Sequence, residues 1–387
     1  MHAITDTQEL EDLCKRLAKA DFVTVDTEFM RERTYYAQLC LIQLADEDGA
    51  FAVDTLAEGL DLAPFWHLMN EEPVLKVLHA SRQDLEIFYQ MSGRLPHPVF
   101  DTQVAAMVCG FGDSAGYEML VKQITGHALD KSARFTDWSR RPLSDKQLTY
   151  ALGDVTYLRE IYRHLAERLD RRNRTHWVKE EMQILLDPET YRMAPEDAWK
   201  RIKVRPGKPR FMALVHALAA WREREAQRRD MPRNRIARDD TLLEMAANPP
   251  KNAEALDHVR GLPKGFAKSQ SGKALLEAIE QTMALPESDL PPAEPRKPRL
   301  HVPPMADLLK VLLKEKCKQA EVAPKLVASA REVEEWAAQP ERADLKALHG
   351  WRREIFGEDA LRLISGDVAL KVDGAKIRVV SPGDPVD

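Results

Sequence analysis

The sequence predicts an α/β domain with a mixed sheet, followed by two smaller all-α units. Three observations carry this. Three closely spaced strand-like runs lie between Phe22 and Asp54. Short apolar strands then alternate with helical periodicity as far as Leu169, and beyond Arg205 every periodic segment is helical.

Leu10, Leu13, Leu17 and Ala18 give Thr7 to Ala20 the spacing of an amphipathic helix. In Phe22 to Phe29, Val23 and Val25 alternate with Thr24, Asp26 and Glu28, a period of two that reads as a strand. Gln38–Leu44 and Ala50–Asp54 are two further strands, joined by the turn Asp46-Glu47-Asp48-Gly49 and expected to pair antiparallel. A helix near Leu62 to Asn70 precedes the strand Val74–His79, and Ser81 to Phe88 starts another helix. Asp101 or Thr102 caps a helix through Val108, and helices are expected over Tyr117–Thr125 and Ser144–Leu169. Arg205 to Arg210 reads as a linker, and seven prolines between Leu285 and Pro304 mark a second, extended one. From Met305 to about Ser365 the pattern is helical, with a partly irregular tail expected from Gly366. Ile236–Ala247 and Val327–Ala338 share their hydrophobic positions 91 residues apart, as do His258 and His349, so the two helical units read as a diverged duplication.

Composition bounds the function. Hydrophobic residues make up 44% and charged residues 31% of 387 positions, which is the balance of a core-forming chain of two or three domains. No run of about 18 apolar residues occurs, and the N-terminus lacks a secretory pattern. Cys14, Cys40, Cys109 and Cys317 are scattered, which argues against a disulfide framework or zinc site and points to a cytoplasmic protein. Net charge is −5, yet Arg205–Leu285 carries fifteen basic and ten acidic residues. Seven arginines against three acids lie between Arg222 and Arg238, a pattern shared by polyanion-binding patches and by solvated helix faces with Arg–Glu pairs.

Asp26 and Glu28 project from one face near the end of their strand. Paired carboxylates repel and raise each other's pKa unless a cation intervenes, and a hard divalent ion such as Mg²⁺ relieves that repulsion. Asp84 sits at a strand-to-helix junction, where sites commonly lie, but Ser81 and Asp84 also fit a structural S-x-x-D capping box. Tyr150 and Asp154 are i, i+4 at the edge of the apolar stripe Leu148, Leu152, Val155, Leu158. Each element alone has an ordinary structural explanation.

Their conjunction, in this order within one α/β domain, resembles the DEDD superfamily of 3′→5′ exonucleases in its tyrosine subclass. The resemblance is nearest to the ribonuclease D family. It extends through Val25–Phe29, Tyr36–Leu44, Lys76–His79, Asp84–Glu86, Asp130–Ser132 and Asp137–Leu143. It implies a ribonuclease H-like exonuclease domain at 1–204 and a helicase-and-ribonuclease-D C-terminal (HRDC) domain at 205–285. A linker at 286–304, a second, diverged HRDC-like domain at 305–370 and a tail at 371–387 complete the expected organisation. It further implies that Asp26, Glu28, Asp84 and Asp154 bind two divalent ions, Mg²⁺ or Mn²⁺, with Asp26 bridging them. On that reading Glu28 and Asp154 complete the water-activating side, Asp84 serves the leaving-group side, and Tyr150 orients the attacking water. Lys131 and Arg140 are candidates for backbone phosphates, as are Arg228, Arg229 and Arg233, and Trp138 is a candidate for base stacking. The expected activity is release of nucleoside 5′-monophosphates from RNA such as tRNA precursors, by a monomer. DNA hydrolysis and catalytically silent RNA binding are the alternatives.

Other chemistries fit less well. Gly265 to Lys273 has the wrong spacing for a P-loop, so no nucleotide cofactor is expected, and no H-E-x-x-H occurs. Gly112–Gly116 matches G-x-S-x-G, but that elbow needs a preceding strand where a helix is expected.

Overall fold

The computed structural model describes residues 2–130, 132–205, 207–292, 302–342 and 344–381. Its backbone falls into two compact units. The first comprises residues 1–28, 41–187 and 299–387, and the second residues 29–40 and 188–298.

The first unit opens with helix α1 (Thr7–Leu17), whose Asp6 cap accepts the Glu9 N–H. Strands β1 (Phe22–Met30), β2 (Gln38–Ala45) and β3 (Ala50–Val53) follow, then helix α2 (Ala63–Asn70) and strand β4 (Leu75–Leu78). Helix α3 (Arg82–Ser92), strand β5 (Val99–Asp101), helix α4 (Thr102–Val108) and helix α5 (Tyr117–Leu120), which widens into a π turn at Val121–Thr125, come next. Helices α6 (Asp145–Arg171) and α7 (Thr175–Leu185) end this stretch. The five-stranded sheet has order β3-β2-β1-β4-β5. β2 and β3 are antiparallel, whereas β1–β4 and β4–β5 are parallel, so the sheet is mixed as expected. β1 is central and covered on both faces: Val23, Thr24 and Val25 are fully buried.

Two local devices aim the chemistry. A Ser144–Gln147 capping box starts α6, and the Thr24 hydroxyl donates 2.8 Å to the Val155 carbonyl. That bond fastens the helix bearing Tyr150 and Asp154 to the strand bearing Asp26. β5 was not foreseen, because three residues are too few to show a period.

The second unit packs helices α8 (Pro209–Arg228), α9 (Arg233–Ile236), α10 (Asp239–Ala247), α11 (Ala253–Asp257) and α12 (Gln270–Ala284). Its core includes Leu214, Leu218, Trp221, Leu242, Met245 and Leu275. Tyr35, from the connection between β1 and β2, packs against this core. Its hydroxyl donates to Glu223, which also holds Arg233, and Asp230 accepts the backbone N–H groups of Tyr35 and Tyr36.

Helices α13 (Met305–Ala320), α14 (Pro324–Val327), α15 (Ala330–Ala338), α16 (Gly350–Arg352) and α17 (Glu358–Ser365) return to the first unit. Their backbone repeats that of α8–α10. α9 and α14, and α10 and α15, lie 91 residues apart, and so do Asp230 and Glu321, left-handed at φ 45° and 48°. In the tail, expected to be partly irregular, strands β6 (Ala369–Asp373) and β7 (Lys376–Val380) form an antiparallel hairpin. Its alternation is hidden by the charged residues Lys371, Lys376 and Arg378.

Trp351 stacks on Trp177 of α7 at 4.3 Å and 10°. Arg174 covers Trp177 at 4.5 Å and Arg352 covers Trp351 at 4.4 Å. Arg352 is 5% exposed, donates to the Leu326 carbonyl and pairs with Glu180 and Glu181. Trp351→Ala is expected to cost ~3–5 kcal/mol, the range for a buried aromatic truncation, read as a lower urea midpoint by circular dichroism. Among the described residues no helix is long and apolar enough to cross a membrane.

Candidate active site

β1 delivers Asp26 and Glu28, the first turn of α3 delivers Asp84, and α6 delivers Tyr150 and Asp154. The capping box considered for Ser81 and Asp84 is not formed: Ser81 makes no side-chain cap bond. Its hydroxyl and N–H both go to Asp101 at 2.8 Å, and Asp101 caps α4 through Gln103 and Val104. Ala80, at the β4–α3 junction, is left-handed with φ 54°, a costly conformation for a residue with a Cβ. Asp84 is thereby released from local structure. It is 7% exposed and accepts a hydrogen bond from the Thr27 hydroxyl.

The carboxylates converge electrostatically. Burial, then Asp154, Asp84 and Glu28, push Asp26 well above the usual carboxylate range. Burial and the charges of Asp154 and Asp84 push Glu28 up to about 9, against the opposing pull of Arg134. Burial raises Asp84 to about 7 despite Thr27, and raises Asp154 to about 7 despite the Tyr150 hydrogen bond and Arg134. The Tyr150 phenol is raised by burial and by Asp154, Glu28 and Asp26, so it stands protonated as a donor.

Asp26, His79, Tyr117, Arg134, Tyr150 and Asp154 line a cleft of about 270 Å³. Glu28 and Asp84 do not line it; their charges reach it through Asp26. Among the described residues, no three His, Cys, Asp or Glu side chains are already closed around one point at ligand spacing. Asp84 is drawn to Thr27 and Asp154 to Tyr150. The donor set nevertheless fits a hard divalent cation: every donor is a carboxylate oxygen, and the cluster's negative charge is opposed chiefly by Arg134.

Three participants escaped the sequence. Tyr117 donates 2.9 Å to the Gly153 carbonyl, bracing α6 one residue before Asp154. Arg134 is the cation of the cleft, and its guanidinium lies 5.3 Å above the ring of Phe135, which is 92% exposed. Arg134 and Phe135 lie in an irregular stretch with no periodicity, where the basic character of Lys131–Arg141 was the available signal, and Tyr117 opens α5 but finds its partner 36 residues away.

The nucleic-acid candidates separate. Lys131 lies outside the described residues. Trp138 is corrected: at 3% exposure it is sealed under Tyr150, ring centroids 6.1 Å apart, and presents no face to a base. Arg140 is exposed and lies 3.5 Å from Asp137. Of the seven arginines from Arg222 to Arg238, four are held in ion pairs and Arg229, Arg235 and Arg238 are exposed. Arg222 is buried on Asp239, Arg228 pairs with Glu225, and Arg233 forks onto Glu223. Only Arg229 of the three proposed contacts stands exposed without an ion pair among those described. The G-x-S-x-G stretch follows helix α4, not a strand, and Ser114 donates to the Asp113 carbonyl.

Comparison with known proteins places the chain in a family. Residues 1–170 match a 3'-5' exonuclease family model, and residues 211–279 match the HRDC domain. The chain is 52% identical to a ribonuclease D of Acidiphilium cryptum, covering 97% of this chain and 96% of that one. It is 50% identical to a ribonuclease D of Jannaschia sp., covering 98% and 99%. The crystal structure of Escherichia coli RNase D, described as an exoribonuclease involved in structured RNA processing, superposes with TM-score 0.78 at 32% identity. It covers 94% of this chain and 99% of that one. The chain belongs to the ribonuclease D family and is a 3′–5′ exoribonuclease.

Proposed function

We propose that the protein hydrolyses structured RNA, tRNA precursors among it, from the 3′ end and releases nucleoside 5′-monophosphates with two divalent ions. The observation that carries this is the convergence of four buried carboxylates: Asp154, Asp84 and Glu28 raise Asp26, and Asp154 and Asp84 raise Glu28. These residues would hold Mg²⁺ or Mn²⁺, which when bound supplies an acidified water and charge stabilisation at phosphorus and the leaving oxygen. Tyr150 orients the nucleophilic water with its phenolic O–H, held by the same contact that ties it to Asp154. Arg134 offsets the phosphate charge at the cleft wall, and the exposed ring of Phe135 offers a surface for the terminal base. The α13–α17 bundle is read as a second HRDC-like domain on its repeated backbone.

The test is incubation with 3′-labelled RNA and DNA, with Mg²⁺ or Mn²⁺ and with EDTA. Mononucleotide release from RNA in metal and none in EDTA is expected; preference for DNA, or binding without release, overturns the reading. Tyr150→Phe removes one donor to the water and is expected to lower kcat about 10²-fold with KM little changed, measured under saturating RNA.

A further inference from the structure

A second charged site lies at the far end of α6. Among the described residues, His164, Arg168, Arg171 and Arg172 line a cleft of about 250 Å³. Arg168 lies 5.3 Å from the Phe111 ring, and its buried Nε–H has no hydrogen-bond acceptor among the described residues. The carboxylates beside these cations are Glu321, 2.8 Å from both Arg168 and Arg172, and Glu167, 3.7 Å from Arg171. Glu321 is the left-handed residue that ends α13 and is half exposed. It stands beside Arg168 and Arg172, close against Gly110 (φ 84°), where a Cβ would lie 3.0 Å from it. The hydrogen bond and charge of Arg172, aided by Arg168, hold the Glu321 carboxyl below its usual range. One acid thus stands between two arginines, with a further arginine and a histidine turned to the same opening.

We propose that this cleft binds a backbone phosphate of the RNA body, with Glu321 as an internal counter-anion that the phosphate displaces. Arg168 lies 14 residues along α6 from Asp154, about 21 Å at 1.5 Å per residue, so one rigid helix sets the distance from cleavage end to anchoring end. Long or folded RNA can span both ends, whereas a di- or trinucleotide cannot. The inference rests on the exoribonuclease reading above.

The full chain should be compared with Arg168→Gln/Arg172→Gln and with Glu321→Gln on two substrates, a hairpin RNA with a single-stranded 3′ tail and a trinucleotide. The double variant should lower the hairpin-to-trinucleotide ratio of kcat/KM about tenfold. In EDTA it should reduce the slope of log affinity for the hairpin against log salt by about 0.7–0.9, the loss of one phosphate contact. Glu321→Gln should move hairpin affinity the other way, a few-fold tighter, and a thermal melt of each variant confirms folding. If Glu321 merely clamps the bundle, Glu321→Gln lowers the melting temperature and leaves hairpin affinity where it was, which overturns the proposal. Binding of inorganic phosphate with hairpin affinity indifferent to both variants also overturns it and makes the cleft a free-anion site. A wild type that degrades neither RNA would instead sink the exoribonuclease reading itself.

Discussion

Asp26→Asn is expected to reduce RNA hydrolysis by at least about 10³-fold, some ~4 kcal/mol of transition-state stabilisation, while leaving RNA affinity in EDTA within about threefold. The carboxylate of Asp26 is the one that Asp154, Asp84 and Glu28 all act upon, so it sits where their charges meet. An amide there keeps the shape and removes the anionic donor. The same change should stabilise the metal-free protein, because a buried carboxylate held among three others is replaced by a neutral group. Loss of activity together with a raised melting temperature in EDTA is therefore the expected pair of results. An active variant would remove Asp26 from the ligand set, and an inactive but destabilised one would make its role structural.

The catalytic half was legible because its signals are local. Val23 and Val25 against Asp26 and Glu28 define a strand face within six residues, and Leu148, Leu152, Val155 and Leu158 define a helix stripe beside Tyr150 and Asp154. Asp84 was harder. Its capping-box spacing was real, but Asp101 captured Ser81, a competition between residues 20 positions apart that no local pattern encodes. Tyr117 and Arg134 were invisible for a related reason: the groups they act on, Gly153 and Glu28, lie far from them along the chain.

Charge was the most misleading signal. Seven arginines between Arg222 and Arg238 read equally as a polyanion site or a paired helix face. The structure commits Arg222, Arg228 and Arg233 to Asp239, Glu225 and Glu223. By contrast Arg168, Arg171 and Arg172 lie within five residues at the end of α6, where the balance of acids and bases along the helix masks them, and they share one opening. Linear density reports how many cations a segment has; the fold decides which of them already have an acid.

The metal-free protein should lose stability as pH rises, the opposite of most acid-sensitive folds. Glu28 titrates at about 9 in the folded chain against an ordinary 4.5, and Asp84 and Asp154 at about 7 against 3.8. Between the ordinary and the folded values, the folded chain retains protons that the unfolded chain has released. Stability then falls with pH, because the native state binds more protons than the unfolded one. The contribution is full below about pH 4, declines through about 7 as Asp84 and Asp154 ionise, and is gone above about 9 once Glu28 has ionised. In EDTA the expected loss between pH 5 and 8 is on the order of a few kcal/mol, roughly 5–10 °C in Tm. A divalent ion binds the ionised cluster, so Mn²⁺ at a hundred times its Kd should restore ~2.7 kcal/mol, with the larger gain at pH 8. Asp26→Asn should flatten the EDTA profile and blunt the Mn²⁺ response. A Tm that is level from pH 5 to 8 in EDTA, with no gain from Mn²⁺, would mean that the four carboxylates do not share a field, and the metal-dependent mechanism would fall with them.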